Sequence, residues 1–104
     1  MAVDEVTVEE LEELLPSARL VDVREPYEFE EAHVPGAVLV PMASVPDRLD
    51  AFAGDEPTYV ICKTGARSLR VCEFLEAQGL VGINVYGGTK AWSLSGRELA
   101  TGSA

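Results

Sequence analysis

Cysteine is scarce in this chain, with two in 104 residues, and histidine occurs once. So few thiols exclude a disulfide framework, and a single histidine argues against a metal site or a Cys-His dyad. No apolar run approaches the length of a membrane span. The opening Met1-Ala2-Val3-Asp4-Glu5 has neither the basic nor the apolar part of a secretory leader, so the expected location is the cytoplasm. Positive charge is also sparse: eight Lys and Arg stand against eighteen Asp and Glu, a net charge of −10. Such a surface repels phosphate backbones and anionic bilayers, which removes nucleic acid and membrane from the expected partners. The acidic residues between Asp4 and Glu31 read as a solvated face rather than a docking patch.

What is present is the composition of a folded domain. Hydrophobic residues make up 47% and charged residues 25%, too apolar for a disordered chain, and the length suits one core without a covalent staple. Internal repeats, linkers and low-complexity segments are missing. One domain over residues 1–104 is expected, with only Ala100 to Ala104 frayed.

Along the chain, strand and helix signals alternate. Thr7 with Glu10 forms a capping box ahead of a short helix through Leu15, which Pro16 and Ser17 end. Arg19-Leu20-Val21-Asp22-Val23-Arg24 is a short run suited to a doubly buried strand. A polar turn or short helix from Tyr27 to Ala32 leads through Pro35-Gly36 to a strand over Ala37 to Val40. A helix is expected from Ser44 to Phe52 with Pro46 in its first turn, then a strand from Thr58 to Ile61. A helix from Arg67 to Gln78 closes at Gly79, a strand runs from Gly82 to Tyr86, and a helix from Lys90 to Ser95 surrounds Trp92. This alternation predicts an α/β fold, a mainly parallel central sheet with helices on both faces.

Ligands of an open parallel sheet bind beyond the carboxyl ends of its strands, and Cys62 follows the strand ending at Ile61. Cys62-Lys63-Thr64-Gly65-Ala66-Arg67-Ser68 is a glycine-containing turn opening into a helix, a geometry that aims backbone N–H groups and the helix N-terminus at one point. Lys63, Arg67 and Arg70 fall close together there, implying a local anion site in an acidic protein. Thiolate population is a small part of the benefit. Lowering a thiol pKa from about 8.5 to about 6.5 raises the thiolate fraction roughly 25-fold, but roughly six- to tenfold is lost as nucleophilicity. Stabilising negative charge on an arriving donor, or on a bound and protruding sulfur, is the larger effect.

The same seven residues resemble the active-site loop of the rhodanese family of sulfurtransferases. Val21-Asp22-Val23-Arg24-Glu25, Glu28-Phe29, His33-Val34-Pro35-Gly36-Ala37, and Gly87-Gly88 with Ala91-Trp92 resemble other marks of that family in the same order, from about Leu20 to Gly96. The resemblance implies a small rhodanese-like domain. In it, Cys62 would take a sulfane sulfur from a donor such as thiosulfate, hold it as a persulfide and pass it to a thiol, to cyanide or to a sulfur-carrier protein. Lys63, Thr64, Gly65, Ala66, Arg67 and Ser68 match the loop that offers N–H groups to the persulfide, and Lys63 is the candidate contact for an anionic donor. No cofactor or metal is implied. The fold also resembles a branch of phosphatases and arsenate reductases whose loop is one residue longer. Only four residues separate Cys62 from Arg67 here, too tight for three phosphoryl oxygens. A third reading is a module that carries persulfide or docks a partner without turnover.

Other residues carry plainer expectations. Cys72 falls on the core face of its helix, between Leu69 and Leu75. Asp22 and Arg24 are possible supports of the active loop, with a structural ion pair the stronger expectation. His33 is expected to fix a turn, Trp92 to pack in the core, and Gly87-Gly88 only to permit a turn. Ala32, where a glycine commonly stands, and Thr89, where an apolar residue does, depart from the family pattern.

Overall fold

The computed structural model describes residues 3–103. Five strands form one sheet: β1 Glu5–Val6, β2 Arg19–Asp22, β3 Val38–Leu39, β4 Thr58–Ile61 and β5 Gly82–Val85, in the order β1-β5-β4-β2-β3. Every pairing is parallel. The helices are α1 Val8–Leu14, α2 Pro26–Glu31, α3 Ala66–Ala77 and α4 Gly88–Leu94.

Side chains of β4 alternate between the two faces as a strand requires. Val60 and then Cys62 join Val21, Val23, Val45, Phe52, Val71 and Leu75 on one face. Ile61 joins Val8, Leu11, Leu20, Val85 and Trp92 on the other. α3 therefore covers one side of the sheet, and α1 with α4 covers the opposite side. Burying β2 and β4 on both faces is what their continuous apolar runs demand. The Thr7 capping box forms as expected, Glu10 N donating to Thr7 Oγ1 and Thr7 N to Glu10 Oε1.

Two expectations are corrected and one strand is added. The helix expected from Ser44 to Phe52 is two 3₁₀ segments, Met42–Asp47 and Leu49–Phe52. Pro46 has no N–H to give a regular α-helix, and the chain breaks at Arg48, so shorter i to i+3 bonds such as Arg48 N to Val45 O serve instead. β1 is an additional strand at the sheet edge. The tail is tied down at its start: Ala100 forms a backbone bridge with His33, and Gly102 N donates to Glu30 O. His33 also stacks on Phe29 with ring centroids 3.7 Å apart, and its Nδ1 lies 2.7 Å from Phe29 O. No helix among the described residues is long and apolar enough to cross a membrane.

Candidate active site

Cys62 is the first residue beyond β4, and the N-terminus of α4 grips it from below. Thr89 N donates to Cys62 O at 2.9 Å, Thr89 Oγ1 donates to the same oxygen at 3.2 Å, and Lys90 N donates to Lys63 O at 2.9 Å. Thr89 thus uses the hydroxyl that an apolar residue would lack. Gly88 does more than turn the chain, which corrects the plain reading of the glycine pair. A Cβ on it would lie 2.4 Å from Cys62 O and 2.5 Å from Lys63 O, so only glycine allows this contact.

Gly65, at φ +108°, reverses the loop and starts α3. The reversal brings Gly65 N to 3.1 Å, Ser68 N to 3.4 Å and Ser68 Oγ to 3.3 Å from Cys62 Sγ. The sulfur does not protrude. Cys62 is 1% exposed, because the loop folds over its sulfur and the side chain packs in the cluster on the α3 face of the sheet. Burial is the strongest single influence on the thiol and opposes its ionisation. Donation from the Ser68 hydroxyl and from the backbone N–H groups of Ser68, Gly65 and Thr64 together outweighs it, and the Cys62 pKa lies below its ordinary value. Dipoles of the loop are the leading influences that favour the anion, with Arg67 coupled to it only weakly.

The cations are arranged differently from a simple cluster. Arg67 meets Glu28 of α2 through NH1 to Oε1 at 2.8 Å and NH2 to Oε2 at 3.0 Å. That contact holds the Glu28 carboxyl at about pKa 2. Arg70 and Lys63 are exposed. Asp22 and Arg24 form a buried bidentate pair, with NH2 to Oδ2 at 2.8 Å and Nε to Oδ1 at 3.0 Å, and Arg24 NH2 also donates to Ala32 O. Arg24, Tyr27, Glu28, Lys63 and Lys90 line an adjacent open cavity of about 520 Å³. Cys72 is buried, and desolvation pushes its thiol up to about 12. Among the described residues, no group of His, Cys, Asp and Glu could hold a metal ion.

Two contributors escape the sequence reading. Glu28 is visible there only as part of a motif, without its partner. Asn84 is buried in β5, touches both Ser68 and Gly65, and reaches Glu5. Its signal is an amide within an otherwise apolar strand.

The rhodanese-like domain family matches residues 7–95. The chain belongs to that family. A sulfurtransferase of Allochromatium vinosum is 34% identical to this rhodanese-like domain over 98 residues, covering 90% of this chain and 92% of the relative. YtwF of Bacillus subtilis is 35% identical over 95 residues, covering 88% and 92%. The crystal structure of a rhodanese-like domain protein from Staphylococcus aureus superposes with a TM-score of 0.86 at 38% identity, covering 95% of this chain and 98% of that one. Relatives named as sulfurtransferases thus share this rhodanese-like domain over nearly its whole length.

Proposed function

We infer that this rhodanese-like domain is a sulfurtransferase that works through a persulfide on Cys62. The carrying observation is the convergence of Gly65 N, Ser68 N and Ser68 Oγ on one sulfur. Two N–H groups already face that atom and the Ser68 hydroxyl can turn to it, so donors are at hand for a charge that grows or moves there.

Cys62 loses its proton to solvent, and the thiolate attacks the outer sulfur of an anionic donor such as thiosulfate. The new Cys62 S–S bond forms as the donor S–S bond breaks, and sulfite departs with the electron pair. The persulfide anion lies among the N–H groups of residues 63–68. An acceptor thiolate or cyanide then attacks the terminal sulfur, forming persulfide or thiocyanate and returning the Cys62 thiolate. A sulfur-carrier protein fits the same acceptor role. Because the resting sulfur is buried, both reagents approach over the loop, beside the cavity bordered by Lys63 and Lys90. Asp22 and Arg24 act by bracing the strand end and Ala32 rather than by touching the sulfur. This reading treats residues 1–104 as one working domain in a reducing cytoplasm.

Intact-protein mass after incubation with thiosulfate tests the mechanism. The expected result is a gain of one sulfur atom that cyanide removes and that Cys62→Ser abolishes. A gain that survives in Cys62→Ser overturns it. Steady-state turnover with thiosulfate and cyanide distinguishes an enzyme from a module that only carries sulfur.

A further inference from the structure

Ser68 Oγ carries one hydrogen and faces two acceptors. Cys62 Sγ is 3.3 Å away, and Asn84 Oδ1 is within hydrogen-bond distance on the other side. All three groups are buried. Asn84 cannot turn its amide around, because Nδ2 donates to Glu5 Oε2 at 2.7 Å and to Gly65 O at 3.3 Å, and a carboxylate accepts only. Register fixes this arrangement, since Glu5 of β1 lies opposite Asn84 of β5 and Asn84 N donates to Asp4 O.

The amide oxygen is therefore held toward Ser68 and competes with the sulfur for the hydroxyl hydrogen. With a neutral thiol, the hydrogen goes to Asn84 while the serine oxygen can accept from S–H. With an anion on the sulfur, the hydrogen must swing to Sγ and give up Asn84. A reversed amide would do the opposite: it would donate to Ser68 Oγ and leave the hydroxyl hydrogen directed at the sulfur.

We propose that Glu5, through Asn84, is a positioning residue that decides which acceptor holds the Ser68 hydrogen, and so restrains charge formation on Cys62. This rests on the reading of Cys62 as the reacting sulfur. The other charge coupled to Cys62 is Arg67 of α3, itself paired with Glu28 of α2 and within reach of Asp22 of β2, which pairs with Arg24. Lys63, next in the chain, is exposed, and Cys72 lies within the electrostatic reach of both Cys62 and Glu5.

The experiment follows the rate of Cys62 alkylation by iodoacetamide against pH, read by peptide mass, in the full chain and in Glu5→Gln, Ser68→Ala and their double variant. Glu5→Gln puts a side chain that donates as well as accepts opposite the amide, so that only the 3.3 Å contact with Gly65 O still opposes its reversal. The midpoint then moves to lower pH, and the rate below it rises a few-fold, the scale of one net hydrogen bond. In the Ser68→Ala background the same substitution has no effect. A shift that persists undiminished without the Ser68 hydroxyl shows a bare field effect of the lost charge and overturns the proposal, as does an absence of shift in Glu5→Gln. Asn84→Leu, which removes the competing oxygen, is the second route and moves the midpoint the same way. Alkylation reads ionisation of Cys62 whether or not sulfur is transferred. Loss of thiosulfate loading with intact coupling therefore defeats the persulfide reading alone, and loading without coupling defeats this one alone.

Discussion

Arg67 and Glu28 lie 39 positions apart in the chain and face each other through two hydrogen bonds of 2.8 and 3.0 Å, one to each carboxylate oxygen. The pair ties α2 to the first turn of α3, the turn whose N–H groups surround Cys62. Arg67 is thereby a brace for the loop and its charge is already matched.

Glu28→Gln removes that charge match. The Glu28 pKa falls from 4.5 to about 2 on folding, so its stabilisation is full above pH 4.5 and fades as pH drops toward 2. Arg67 is partly exposed, so screening limits the pair to about 1 kcal/mol at pH 7. Denaturant unfolding should show the variant less stable at pH 7, with the gap narrowing below pH 4.5 and closing only as pH falls through about 2. A gap that widens in acid contradicts the assignment.

The sequence made some of this legible and hid the rest for physical reasons. Continuous apolar runs such as Leu20-Val21 and Val60-Ile61 announce strands buried on both faces, and a cysteine directly after one of them is a readable site. β1 has two residues and no period to detect. The Ser44 to Phe52 segment has apolar spacing compatible with a helix, but Pro46 and the break at Arg48 select 3₁₀ geometry. The fixing of the Cys62 and Lys63 carbonyls depends on Gly88 seating α4 against residues 62 and 63, a contact that no local pattern encodes. Arg67 looks like a free cation until Glu28 is found beside it.

The two thiols should behave as opposites even though each is 1% exposed. Donors of the loop depress the Cys62 pKa, whereas burial with no compensating donor raises Cys72 to about 12. At pH 7.5 iodoacetamide should label Cys62 alone in the native protein and both cysteines in denaturant. Native labelling of Cys72 at a comparable rate would refute the difference in environment.

Gly88→Ala tests the seating of α4 against Gly96→Ala as its control. Both positions have positive φ, +60° and +79°, so both substitutions incur backbone strain of about 1 kcal/mol. Nothing lies within 4 Å of a Cβ at Gly96, while at Gly88 it meets two backbone carbonyls below 3 Å. Gly88→Ala should therefore lose at least about 2 kcal/mol more in denaturant unfolding, and its Cys62 should alkylate faster as the base of the site opens. Equal losses at the two positions would mean that the close approach contributes nothing.

Lys63 and Lys90 provide the last prediction, because they are the unburied amines beside the cavity next to Cys62. Loop amides act on charge at the sulfur, but a dianionic donor must first be drawn to an acidic protein, and exposed ammonium groups supply that attraction. Lys63→Ala should raise KM for thiosulfate about threefold at low ionic strength, matching the modest worth of one exposed charge, with the alkylation midpoint of Cys62 unchanged. Lys63→Ala with Lys90→Ala should raise it further, and added salt should narrow the difference from the parent protein. A fall in kcat at constant KM would instead place Lys63 in the chemical step.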